Sequence, residues 1–145
     1  MQKERDSLMW QDDMESAMAQ TGDIFVSAFQ EQLDADDVNN SYLWAFCLRV
    51  ENNSEKKIRL LKKDFCITDN CGHSYFINGE GFHGELPDLE PGECFEFEDT
   101  IGLNSAAAVL YGTCAAQTVD GTEIKIKLPI VQLAALETTS YFNYN

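Results

Sequence analysis

The chain is poor in positive charge, in proline and in long apolar runs. Ten lysines and arginines stand against twenty-five acids, a net charge of −15 over 145 residues. A nucleic-acid surface needs a basic footprint to displace counterions from phosphates. The one cluster of bases is Lys56, Lys57, Arg59, Lys62 and Lys63, which reads first as a solvated strand and turn. Nucleic acid is therefore excluded as a partner. No stretch approaches the roughly 18 apolar residues of a membrane-spanning helix. The opening Met1-Gln2-Lys3-Glu4-Arg5-Asp6 lacks the apolar core of a secretory signal. The expectation is a soluble, cytoplasmic protein with no membrane partner.

Metal and redox motifs are equally sparse. Cysteines 47, 66, 71, 94 and 114 are odd in number, widely spread and contain no CxxC pair. Without a secretory signal they read as reduced thiols. Cys66 and Cys71 are close enough to suggest zinc, but a second ligand pair is missing, and His73 and His83 complete no known spacing. Those two histidines also join no Ser/His/Asp arrangement with supporting motifs, so the chain is expected not to be an enzyme and to carry no cofactor.

What is present is enough for one domain. Apolar residues make up 44% of the chain, ample for a core at this length. Residues 1–20 form an acidic extension in which Trp10, Met14 and Met18 recur every four residues, as on one face of a short helix. Too little apolar surface is available for such a helix to stand alone, so this segment packs on the domain, meets a partner or stays disordered. The domain is placed at residues 21–135 and a tail at 136–145.

Within the domain the apolar period changes to two. A first strand covers Ile24 to Phe29, and Asp34 to Asn40 reads as an exposed acidic loop. In Ser41 to Val50, alternation puts Trp44, Phe46, Leu48 and Val50 on one face. Glu51 to Glu55 is turn chemistry. Lys57 to Thr68 is a long, kinked strand closed by Asp69-Asn70-Cys71-Gly72, and His73 to Ile77 follows with Tyr75 and Ile77 on one face. Phe95 and Phe97 alternate with glutamates at a solvent-facing edge. Ala107 to Thr118 and Glu123 to Val131 form a last hairpin, with Ile124, Ile126, Leu128 and Ile130 alternating. The pattern is all-β: an antiparallel immunoglobulin or fibronectin type III-like sandwich of seven to eight strands.

One string points elsewhere. Gly79-Glu80-Gly81-Phe82-His83-Gly84 matches the GxGxxG of dinucleotide-binding folds. In those folds the third glycine opens a helix whose N-terminus holds the pyrophosphate. Here Gly84 leads into Glu85-Leu86-Pro87-Asp88-Leu89-Glu90-Pro91-Gly92, and two prolines in eight residues exclude a normal helix. The alternative is a β-sandwich loop in which glycines permit positive φ. Such a loop can still offer backbone N–H groups to an anion, with Gly79, Gly81 and Gly84 assisted by Lys62 or Lys63. Seven acids between Glu85 and Asp99 oppose that.

The same residues carry a family resemblance. Glu51-Asn52, Leu60-Leu61, Ile67-Thr68-Asp69 and Gly72 precede Gly79-Glu80-Gly81-x-x-Gly84-Glu85-x-Pro87-x-Leu89-x-Pro91-Gly92-Glu93-x-Phe95-Glu96. Gly112-Thr113, Asp120-Gly121 and Leu128-Pro129 continue the pattern, which resembles the ApaG family over residues 22 to 134 or so. The resemblance implies a fibronectin type III-like sandwich without established enzymatic activity. It implies an association with cobalt and magnesium tolerance, and use as a protein-interaction module in eukaryotic members. It also implies the phosphate or pyrophosphate binding proposed for the glycine motif. The chain departs from the family pattern at Lys62-Lys63-Asp64-Phe65, at Phe82-His83 and at Leu86.

Three functions follow as expectations. The first is docking on a partner protein of unknown identity, a homodimer included. The second is binding of a small anion, pyrophosphate or a nucleotide, at the Gly79–Gly84 loop. The third is binding of a divalent cation by the acidic surface.

Overall fold

Period-two alternation resolves into ten strands over residues 17–134, the part of the chain that the computed structural model describes. They are β1 (Ala17–Thr21), β2 (Ile24–Asp36), β3 (Ser41–Asn52), β4 (Ile58–Asp69) and β5 (Ser74–Glu80). After these come β6 (Asp88–Leu89), β7 (Cys94–Leu103), β8 (Ala107–Thr118), β9 (Glu123–Lys127) and β10 (Val131–Ala134). A four-stranded sheet runs β1-β2-β3-β7. A six-stranded sheet runs β10-β8-β4-β5, with β6 paired to β4 and β9 to β8. All pairings are antiparallel. The described residues contain no helix, and so none able to cross a membrane. The antiparallel sandwich expected from the sequence is the fold, but with ten strands where seven to eight are expected, because β1 adds to the edge of β2, the two-residue β6 pairs with β4, and Pro129 separates β10 from β9.

Its core is where the two inner faces meet. Trp44, Phe46, Leu48 and Val50 all point inward from β3, as the alternation requires, and meet Ile58, Leu60, Phe65 and Ile67 from β4. Leu110, Cys114 and Ala116 of β8 and Ile126 of β9 complete the layer. Gly112 makes the close approach of β8 to β4 feasible. At φ +143 it is extended in a way L-residues avoid, and a Cβ there would lie 2.2 Å from the carbonyl oxygen of Asp64.

Four local expectations are corrected. Met18 lies on β1, opposite Ser27, and not on a helix face, because Gly22 at φ +58 turns the chain so that Ala17–Thr21 pairs with β2. Trp10 and Met14 fall outside the described residues. The acidic loop is shorter than Asp34 to Asn40, since β2 continues to Asp36 and the reversal begins only there. Asp36 Oδ1 accepts the N–H groups of Val38 and Asn39, which tightens the turn. Phe97 is buried and not at a solvent-facing edge, because the glycine loop covers it. Ile130 breaks the alternation of the last hairpin and is 68% exposed. There β9 ends at Lys127, Leu128 bonds to Gly112, and Pro129 ends the ladder before β10 begins.

Asn52 ties the strand ends together. Its fully buried side chain donates to the carbonyls of Lys56 and Leu89 and accepts from the N–H and hydroxyl of Ser54. A polar side chain survives there because every hydrogen-bonding valence is used.

Candidate functional site

The six residues from Gly79 to Gly84 close the open side of the sandwich. Phe82 and Glu85 exchange two backbone hydrogen bonds, 2.8 and 3.2 Å, around His83 (φ +54) and Gly84 (φ +84). Two successive positive φ values make this a type I′ turn, the form whose twist suits a tight hairpin. No helix follows. Phe82 is thereby driven between the sheets, with ring centroids 5.8 Å from Phe95 and 5.4 Å from Phe97. His83 stacks on Phe97 at 4.7 Å, and its Nε2, carrying the proton, donates to the carbonyl of Glu98 at 2.8 Å. That carbonyl belongs to β7, the last strand of its sheet, so the loop caps part of an edge.

A bulge decides where the two lysines go. The β4–β8 register shifts between Leu60 and Lys62, so the extra residue Leu61 reverses the alternation. Lys63 therefore points inward in phase with Phe65, and Lys62 points outward. The Lys63 ammonium donates to the Gly81 carbonyl at 2.5 Å and lies 5.3 Å from the Phe82 centroid. Of the predicted set, Gly79, Gly81, Gly84 and Lys63 come together, while Lys62 lies on the other side of the sheet. There it lines a shallow pocket with Leu61, Glu80, Leu86, Ala115 and Glu123.

A second feature lies on the outer face of the six-stranded sheet. Phe76 of β5 faces Cys66 of β4, which faces Tyr111 of β8. Ile130 precedes β10, whose Val131 faces Leu110, and so comes level with Tyr111. The result is an apolar row across four strands, with Phe76 65% and Tyr111 41% exposed. On one side runs a row of Ser74, Thr68, Val109 and Gln132, with the Thr68 hydroxyl 3.2 Å from Ser74 and 3.3 Å from Tyr111. On the other side run Asn78, Asp64, Thr113 and Lys127. Sequence reasoning missed this row. The signal was there in Phe76, set between Ser74 and Asn78 on the polar phase of its strand.

The sequence profile of the ApaG domain matches residues 32–118. The chain belongs to the ApaG-domain family. Protein ApaG of Parvibaculum lavamentivorans is 29% identical over 120 residues, 83% of this chain and 92% of that protein. Protein ApaG of Brucella canis is 27% identical over 130 residues, covering 90% of this chain and all of its own. A crystal structure of a Bordetella pertussis protein described as ApaA superposes with a TM-score of 0.74 at 24% identity, covering 77% of this chain and 93% of that one. At that identity the likeness shows the fold alone.

This ApaG domain also holds two arrangements worth testing for chemistry. Asp69, its carboxylate buried, accepts from the N–H groups of His73 and Cys71 and lies 3.2 Å from His73 Nδ1. Burial opposes ionisation, but the two backbone donors and then the imidazole together outweigh it, and the carboxyl is held below its ordinary range. Such a pair orients a catalytic base in hydrolases. Here no hydroxyl or thiol within hydrogen-bonding distance of His73 Nε2 is found among the described residues. The pair instead shapes the turn from β4 to β5. The second arrangement is Cys47, Glu96 and Glu98, whose ligand atoms lie within 4.8 Å of one another on the outer face of the four-stranded sheet. Arg49, 3.7 Å from Glu96, places a competing cation beside them.

Proposed function

We propose that this ApaG-family domain is a non-enzymatic protein-interaction module that docks through the outer face of its six-stranded sheet. One observation carries the reading: the row Phe76–Cys66–Tyr111–Ile130, with Phe76, Tyr111 and Ile130 exposed, between flanking rows that are mainly polar. Large aromatic side chains held on a rigid platform are the residues that anchor protein interfaces, and nothing in the fold requires them outside. The test is a triple variant, Phe76→Ser, Tyr111→Ser and Ile130→Ser, with its fold checked by circular dichroism. The native chain should retain a stoichiometric partner from extract by quantitative mass spectrometry, and the variant should lose it. Equal retention by both, or no partner for the native chain, ends this reading.

A second reading assigns the glycine loop to a small anion such as pyrophosphate. It is favoured by the backbone N–H groups of His83 and Gly84, which bond to no backbone acceptor in the turn. Glu80 and Glu85 flank them, and Lys63 is already engaged. Calorimetry with pyrophosphate and diadenosine polyphosphates decides it; absence of heat at millimolar ligand removes the idea.

A further inference from the structure

Residues 17–134 hold eight lysines and arginines. Arg49, Lys56 and Arg59 sit against Glu96, Asp120 and Asp88, and Lys63 against the Gly81 carbonyl. Lys62, Lys125 and Lys127 are exposed, and neither they nor Lys57, half-buried at the turn before β4, make an ion pair among the described residues. In a chain of twenty-five acids this is not for want of carboxylates. All three lie on the face that bears the apolar row. Lys127 faces Thr113 in the row next to Tyr111, and Lys62 and Lys125 flank Ala115 in the row beyond. Three carboxylates stand among them: Asp64 in the row of Lys127, where the Asn78 amide, in the orientation that satisfies both its ends, donates to it at 3.2 Å, Glu80 across from Lys62 on β5, and Glu123 at the start of β9.

We infer that this face takes an acidic segment of a partner protein, extended along the strands of the sheet. An apolar side chain of that segment seats on Phe76, Tyr111 and Ile130. Since alternate residues of a strand are about 7 Å apart, carboxylates two and four residues further on come over Lys127 and then over Lys62 and Lys125. The recognised pattern is therefore an aromatic or aliphatic residue followed by acids at every second position. The net charge of −15 repels such a segment at long range. At physiological ionic strength, however, screening sets in within about 8 Å, so the contact is decided locally, at Lys125 and Lys127 on β9, with β8 between them and Asp64 and both β8 and β4 between them and Glu80.

The inference rests on the docking reading, and one experiment separates the two. Random twelve-residue peptides on phage are selected against the immobilised full chain, and enriched peptides are measured by fluorescence anisotropy. Two variants are compared with the native chain: Lys62→Glu with Lys125→Glu and Lys127→Glu, and Phe76→Ser with Tyr111→Ser. Unchanged melting temperatures establish that both fold. The enriched peptides should show the apolar-then-alternating-acid pattern. The lysine variant should bind at least about tenfold more weakly, and raising salt from about 50 to 300 mM should weaken binding several-fold. Peptides without acidic excess, lost by the aromatic variant but held by the lysine variant, overturn the inference and leave the docking reading standing. Peptides indifferent to both variants, or no enrichment at all, overturn both.

Discussion

The ammonium of Lys63 donates to the carbonyl oxygen of Gly81 at 2.5 Å, and its charge lies over the rings of Phe82 and Phe97. A side chain that the sequence offers as an anion ligand is thus a strut for the loop it was expected to serve. Lys63→Met should remove a charge-assisted hydrogen bond and leave a part-buried carbonyl unpaired, a loss of about 1–3 kcal/mol in urea unfolding. Lys62→Met, on the exposed face, should change stability by less than about 0.5 kcal/mol. Equal effects would contradict the bulge-dependent placement of the two.

Gly112→Ala tests the approach of β8 to β4. The added methyl meets the carbonyl of Asp64 at 2.2 Å and the Cα of Phe65 at 2.9 Å, and φ +143 adds backbone strain. A loss of more than about 3 kcal/mol, or failure to accumulate as soluble protein, is expected. Gly102→Ala is the control, because a Cβ there meets nothing within 4 Å. It should melt close to the native chain.

Asn52→Ala deletes the buried hub beneath the turn after β3. Two carbonyls, of Lys56 and Leu89, and the Ser54 donors lose their partner together. The expected cost is about 2–4 kcal/mol by chemical denaturation, at the high end for one amide because several buried groups are stranded at once.

The five cysteines differ in accessibility. Cys71 and Cys94 are exposed, Cys66 is partly covered, and Cys47 and Cys114 are buried. Burial pushes the Cys114 thiol up to about 12, opposed only weakly by nearby Lys63. Since the thiolate is the nucleophile, iodoacetamide at pH 8 should label Cys71 and Cys94 first and leave Cys114 and Cys47 intact until the chain unfolds. Peptide mapping by mass spectrometry reads the order. Labelling of Cys114 at the rate of Cys71 would refute its burial.

Acid should destabilise the turns through their aspartates. The Thr118 hydroxyl and then Lys56 hold Asp120 well below the ordinary carboxylate value, and Arg59 does the same for Asp88. Their folded values lie below the unfolded value of 3.8, so their stabilisation is complete above that pH and is lost as pH falls through the folded values. The gap in melting temperature between the native chain and Asp120→Asn should stay constant from about pH 7 to 5 and narrow below about pH 4. A gap that widens in acid has the wrong sign for this account.

Much of the molecule is legible in its residue order. Trp44, Phe46, Leu48 and Val50 alternate strictly, because one face of β3 is buried and the other is not, and a one-residue slip would turn all four to solvent. The prolines and glycines after Gly84 likewise exclude a helix whatever surrounds them. Local chemistry of that kind sets strands, turns and the family marker without reference to the rest of the chain. The side of the sheet taken by Lys62 and Lys63 depends instead on the bulge at Leu61, a register between β4 and β8 that no single segment encodes. Ile130 and Met18 are misjudged for the same reason, since their partners come from distant strands. The apolar row is also a product of pairing: Phe76, Cys66, Tyr111 and Ile130 are scattered over the chain and become neighbours only when four strands align. By itself the sequence determined the sandwich and the glycine loop's turn. Only the tertiary structure decided which side chains face outward together, because a surface is made by register between strands and not by order along one.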